Sequence, residues 1–276
     1  MDAIEEVRSL FVVYADQIQL AEFVVPPNTR RNFAARVPIP ESQPDGNIKL
    51  GFELKSGARL LIETPYKQAW EADTNYHALF QRYRGMLNEL PSGKMVEIGS
   101  RARSGYTFRE IIPPGVDYVG LDIRAGPNVD LVGDAHKLST YFAPESVDAM
   151  LSIAVFEHLL MPWKVALEMN RVMKPGAFAF ISTHQIYPLH EEPWDFWRFS
   201  AKAWHGLFNR STGFEIIDTT YGERAYMVPG HINDRTFRLD RIDAFMASQV
   251  LVRKTGPTSE QWNVDMDDLV EDVYPA

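Results

Sequence analysis

MVEIGSRARSG, residues 95–105, is an apolar run that reaches a glycine and then departs from a phosphate-binding turn. Val96, Glu97, Ile98 and Gly99 read as a buried strand entering a tight turn, while Arg101 and Arg103 stand where further glycines would be expected. A pyrophosphate approaches backbone N–H groups closely, so its turn needs two or three glycines and a clean helix N-terminus. Two arginine side chains crowd that approach. A charged residue inside a buried strand is costly without a partner, so Glu97 asks for a cation, either on a ligand or on an arginine such as Arg101 or Arg103.

Outward from this strand, apolar runs alternate with helical segments, the pattern of a parallel sheet with helices on its faces. The runs are KMVEIGS (94–100), DYVGLDI (117–123), VDLVGDA (129–135), VDAMLSIAV (147–155), FAFISTH (178–184), FEIIDTT (214–220) and AFMASQVLVRK (244–254). PWKVALEMNRVM is apolar on nearly every side, as a helix clamped on a sheet would be, and Lys174, Pro175 and Gly176 end it. Before the first strand, Tyr76, Leu79, Phe80, Tyr83, Leu87 and Leu90 follow a helical period, which predicts a helix over about 68–90. Further upstream, Ile48, Leu50, Phe52 and Leu54 alternate and KSG offers a turn before ARLLIET, which predicts a β-hairpin. The expected fold is α/β: a doubly wound, seven-stranded, mostly parallel sheet over 68–256, an N-terminal extension over 1–67 with a hairpin, and an acidic tail over 257–276. Right-handed crossovers gather the strand C-termini on one rim, where ligands bind.

Three acids mark that rim. Glu97 lies in the first strand, Asp122 ends the second, and Asp134 ends the third in GDAHKL. An acid at the end of the second strand of a doubly wound sheet accepts hydrogen bonds from ribose hydroxyls. S-adenosylmethionine carries adenine, ribose, a sulfonium and an amino-acid end, but no phosphate. Its turn tolerates side chains that a pyrophosphate would not, and Glu97 suits its ammonium.

These stretches resemble the class I S-adenosylmethionine-dependent methyltransferases, in particular their type 11 small-molecule group, over residues 91–220. VEIGSRARSG is similar to the first motif of that family, YVGLDI to the second and VGDAHKL to the third. SIAVFEHLLMPWKVALEMNRVMKPGAFAFIST is similar to its fourth strand, helix and KPGG turn, with Ala177 replacing the second glycine. The departure is the first motif, where E-x-G-x-G-x-G has become E-x-G-x-R-x-R-x-G. The resemblance implies S-adenosylmethionine as cofactor. It would be held by Glu97, Gly99, Ser100, Arg101 and Gly105 from the first motif and by Asp122 and Ile123 from the second. Asp134, Ala135 and His136 follow from the third motif, and Ser152 and Ala154 from the fourth strand.

The reaction so implied is displacement at the sulfonium methyl, with a general base needed only for a protonated nucleophile. His190, in the stretch after the fifth strand where acceptors dock, is the first candidate base, and His158 in FEHLL the second; His184 is also near the rim. Asp195 and Arg198 are expected to pair and fix the YPLHEEPWDFWRFS loop. No metal site is expected.

Composition limits the alternatives. The 276 residues include no cysteine, which removes disulfides, thiolate nucleophiles, Cys-ligated zinc and radical chemistry on an iron–sulfur cluster. Net charge is −9, and six acids of the last twenty residues account for most of it, so no general drive toward nucleic acid exists. Arg30/Arg31/Arg36 and Arg235/Arg238/Arg241 read as solvated charge. The acidic N-terminus is a poor signal peptide, LFVVYADQIQLAEFVV is too interrupted to span a bilayer, and a cytoplasmic protein is expected. The leading expectation is methyl transfer to a small polar acceptor, such as O-methylation of a sugar or secondary metabolite, with no nucleic-acid or membrane partner. Two other readings stay open: a fold-retaining binding protein without catalysis, and a dinucleotide-dependent oxidoreductase.

Overall fold

The computed structural model describes residues 7–14, 18–24, 48–63, 74–227, 235, 236, 239 and 242–269. The prolines at 26, 27, 38, 40 and 44 and the arginines at 30, 31, 36, 238 and 241 lie outside the described residues. Chain contacts divide the protein into two units, one drawn from 1–72 and 226–242, the other from 73–225 and 243–276.

In the first unit, β1 (Val7–Tyr14), β2 (Ile18–Val24), β3 (Ile48–Leu54) and β4 (Arg59–Glu63) form an antiparallel sheet in the order β2-β1-β3-β4. The expected hairpin is β3–β4. Its turn closes with Gly57 N–H donating to the Leu54 carbonyl, at a positive φ of 85° that glycine adopts without strain. The strands β1 and β2 extend it beyond the sequence expectation.

In the second unit the sheet order is β10-β11-β9-β8-β5-β6-β7. The strands are β5 (Gly93–Ile98), β6 (Val116–Asp122), β7 (Leu131–Val132), β8 (Val147–Ile153), β9 (Met173–His184), β10 (Phe214–Ala225) and β11 (Ala244–Lys254). From β7 to β9 every pairing is parallel, and β11 runs antiparallel to both neighbours. The chain order reverses between β5 and β8, the switch point at which such sheets bind ligands.

Helices cover both faces. On one, α1 (Thr74–Asn88) lays Leu79, Tyr83 and Leu87 against Met95, Leu151, Phe178 and Phe180. On the other, α3 (Pro162–Val172) buries Val165, Ala166 and Met169 with Val96, Ile98 and Ile181; one-turn helices α2 (Leu138–Tyr141) and α4 (Trp204–Leu207) join it. Both faces of β5 are therefore covered, which is why its Met95–Ile98 run is buried throughout. Two expectations change. The third strand shrinks to Leu131–Val132, because Gly133 and Asp134 already belong to the turn. The link from β5 to β6 holds only a 3₁₀ turn, Phe108–Ile111, so no helix N-terminus stands behind the Gly99 turn.

Candidate active site

The turn after β5 is shaped by a neighbour. Gly99 has a φ of +79°, and a Cβ there would lie 2.1 Å from Val155 Cγ2. The N–H groups of Gly99 and Ser100 donate to the Leu121 carbonyl at 2.8 and 3.1 Å, which ties the turn to the end of β6. Arg101 N–H and Arg124 N–H then donate to the two oxygens of Asp122 at 3.2 and 2.9 Å. That carboxylate is fixed by backbone alone, and its remaining lone pairs are available to a ligand. The stem of Arg101 packs beside Gly126, where a Cβ would meet its Cγ at 2.8 Å, and Arg103 pairs with Glu191 at 2.7 Å. The arginine turn therefore leaves a pocket of about 670 Å³ open along the rim.

Glu97, on the wall of this pocket, takes a different partner from those expected. The Tyr118 hydroxyl donates to it, Asn128 Nδ2 donates to that hydroxyl at 2.9 Å, and the Arg109 guanidinium lies 4.2 Å above the Tyr118 ring. Burial pushes the Glu97 carboxyl up to about 7, against the Tyr118 hydrogen bond that lowers it. It is thus a group poised to gain full charge when a cation arrives.

Asp134 and His136 close the next wall. His136 N–H donates to Asp134 Oδ1 at 2.8 Å and the His136 ring places Nδ1 2.7 Å from the same oxygen. Met161 N–H donates to His136 Nε2 at 3.2 Å, which leaves Nδ1 to face the Asp134 carboxylate. Burial pushes the Asp134 carboxyl up, but the His136 contacts outweigh it and hold it below its ordinary value. Ile153, Ala154 and Val155 follow from β8, with Ala154 at a positive φ of 54°.

At the far end stands a group of histidines. The His190 ring is edge-on to His158 and His184, with centroids 4.8 and 5.3 Å away, and His184 stacks on Tyr187 at 4.0 Å. His158 Nδ1 contacts the Trp194 carbonyl at 2.5 Å. Asp195 anchors the loop: Arg198 Nη1 and Nη2 donate to its oxygens at 2.5 and 2.7 Å, and His190 N–H donates at 3.0 Å. The Arg198 hydrogen bonds hold its carboxyl well below the usual carboxylate range. Beneath them, the Glu157 side chain is fully buried; Thr183 Oγ1 donates to its Oε2, and His184 Nε2 is 3.2 Å from Oε1. Burial lowers His184 below the ordinary histidine value, against the Glu157 carboxylate that raises it.

Of the residues expected from sequence, Glu97, Gly99, Ser100, Arg101, Asp122, Ile123, Asp134, Ala135, His136, Ala154, His158 and His190 line this one pocket. Gly105 and Ser152 do not. Gly105 borders a separate groove with Thr107 and Asn128, because the longer turn carries it away from the Gly99 end. Ser152 is in the paired part of β8 and is buried. Tyr106, Phe108 and Met266 line the pocket without having been expected. Met266 comes from the acidic tail, which docks through Lys164 Nζ, donating to Asp265 Oδ1 and the Val264 carbonyl at 2.6 Å each.

The pocket suits the cofactor that the resemblance implies. Its size falls in the range of small-molecule sites, about 300–1,000 Å³. It offers three acids at or just beyond strand ends, and Ser100 Oγ and Arg101 Nε on its walls are buried without a hydrogen-bond partner. The missing helix N-terminus and glycines leave no cradle for a pyrophosphate.

Part of the chain is similar to known proteins. Residues 97–181 match the family model described as a methyltransferase domain. An uncharacterized methyltransferase of Mycobacterium leprae is 32% identical over 148 residues, covering 47% of this chain and 54% of the relative. One from Mycobacterium tuberculosis is 30% identical over 148 residues, covering 47% and 57%. The chain thus spans about half the length of the curated relatives it matches. Among solved structures, an S-adenosylmethionine-dependent methyltransferase from Archaeoglobus fulgidus aligns with a TM-score of 0.48 at 15% identity, covering 65% of this chain and 93% of that one.

Proposed function

We propose that this protein, whose residues 97–181 belong to the methyltransferase-domain family, transfers a methyl group from S-adenosylmethionine to a hydroxyl of a small polar acceptor. The observation that carries the reading is the polarity of one pocket: buried Glu97 beside the Gly99 turn at one end, and three histidines at the other. When bound, the cofactor supplies an electrophilic methyl group on a sulfonium. Glu97 would serve its ammonium, Asp122 its ribose hydroxyls, and Asp134 with the Ala135 N–H its adenine.

The histidine end then receives the acceptor, and His190 is the residue that activates its hydroxyl. Its Nδ1 is engaged by the Pro188 carbonyl and Asp195 Oδ2 at 3.2 and 3.3 Å, which leaves Nε2 as the working nitrogen. Holding two reactants in one pocket contributes up to about 7–11 kcal/mol of effective molarity, so positioning supplies much of the rate. A reducing, cytoplasmic setting fits the absence of cysteine. Among the described residues no helix is long and apolar enough to cross a membrane.

The test is transfer of labelled methyl from S-adenosylmethionine to a panel of sugars and phenols. Label in at least one hydroxyl acceptor is expected, lost in His190→Ala while cofactor affinity persists. Cofactor binding with transfer only to nitrogen or carbon acceptors would overturn the hydroxyl assignment.

A further inference from the structure

Glu157, beneath the histidine end of the pocket, is the least explained group there. Its carboxylate is entirely buried, at the turn Phe156–His158, where an unpaired charge is costly. Thr183 satisfies Oε2, whereas Oε1 has no hydrogen-bond partner although His184 Nε2 is only 3.2 Å away. The two atoms approach at close range without hydrogen-bond alignment. That spacing is the one adopted by two ligands of a single ion, since bonds of about 2.0–2.1 Å separate adjacent donor atoms by roughly 3 Å.

We propose that Glu157, His184 and His190 form a binding site for a divalent transition-metal ion at the acceptor end of the pocket. One donor atom from each lies within 4.8 Å of the others, so small side-chain rotations close the set around an ion. Two imidazoles and one carboxylate are a ligand set that suits such ions and leaves coordination positions open.

The outer groups are already in place. A metal-bound histidine donates its other N–H to a carboxylate or carbonyl, which fixes ring and tautomer. His190 Nδ1 has Asp195 and the Pro188 carbonyl. Asp195 is in turn clamped by both terminal nitrogens of Arg198. Glu157 and His190 therefore each have their second polar atom engaged.

This inference rests on the reading of the pocket as a methyl-transfer site and names what activates the acceptor there. A bound ion lowers the pKa of a hydroxyl it touches. The O–H bond breaks, its proton passes to water at the pocket mouth, and the oxygen stays on the ion as an alkoxide. In that state His190 activates the hydroxyl by holding the ion through Nε2, not by taking the proton itself. Open positions on one side of the ion favour acceptors with two adjacent oxygens, such as a vicinal diol.

The experiment is titration of the full chain, stripped with EDTA, with Co²⁺ followed by its visible absorption and with Zn²⁺ by calorimetry. One ion per chain is expected, with affinity reduced about a hundred-fold or more in His184→Ala and Glu157→Gln. His190→Ala, at a half-exposed position, gives the same reading if the buried variants fail to fold. No stoichiometric binding by the wild type, or unchanged affinity in the folded variants, would overturn the site. Titrating the same stripped protein with S-adenosylmethionine separates the two readings. Cofactor binding without metal binding removes the ion and leaves methyl transfer standing; metal binding without cofactor binding upholds the site and removes methyl transfer.

Discussion

Glu97 links fold and ligand in a single side chain. Its carboxyl, raised by burial from 4.5 to about 7, holds its proton more tightly in the folded chain than in the unfolded one. Its effect on stability is therefore neutral well below 4.5, and it progressively disfavours folding as pH rises from there through about 7. A cationic ligand has the opposite preference. Affinity for S-adenosylmethionine should rise as pH crosses about 7, and Glu97→Gln should flatten that profile. The substitution should also weaken binding by about tenfold or more, as a charge-assisted hydrogen bond of roughly 1.5–3 kcal/mol is lost; calorimetry at several pH values reads both effects. Gly99 makes a second test at this scale. Gly99→Ala drives a Cβ to 2.1 Å from Val155 at a φ of +79°, and should cost about 1–3 kcal/mol in denaturant unfolding. Glu97 was legible in the sequence as an acid that needed a partner. Its partner was not, because Tyr118 reaches it from the adjacent strand by a register that no local pattern encodes.

Elements position these residues, and their fidelity to the sequence depends on how local their causes are. Strand β5 and helix α3 were readable because a short apolar run ending in glycine and a Lys-Pro-Gly stop are local signals. The loop after β9 was readable only in part. Asp195 and Arg198 pair as expected three residues apart, but the meeting of His158, His184 and His190 depends on three separate chain segments. Arg198→Ala should release this loop: proteolysis between residues 185 and 199 should quicken and methyl transfer should fall, while cofactor affinity, held mainly at the other end, changes little. Unchanged proteolysis would show that the loop is anchored elsewhere. The acidic tail was the least legible element. Lys164 and Asp265 are about a hundred residues apart, and nothing near Met266 marks it as a pocket residue. Lys164→Met should free the tail to proteases and weaken cofactor binding, since Met266 would leave the pocket wall.

At the scale of the whole molecule, the order of the seven-stranded sheet and its switch point between β5 and β8 put Glu97, Asp122 and Asp134 on one rim. The alternation of strands and helices made that arrangement readable before any contact was known. The two-residue β7 and the helix-free link after β5 were not, because both depend on how tightly the turn from Gly99 onward folds back on β6. That same link separates the competing cofactors, since it withholds the helix N-terminus a pyrophosphate requires. The most direct measurement is calorimetric titration of the purified protein with S-adenosylmethionine, S-adenosylhomocysteine and NAD in parallel. Saturable binding of both sulfur compounds at one site, with none of NAD, is the predicted result; binding of NAD, or of neither sulfur compound, would contradict it.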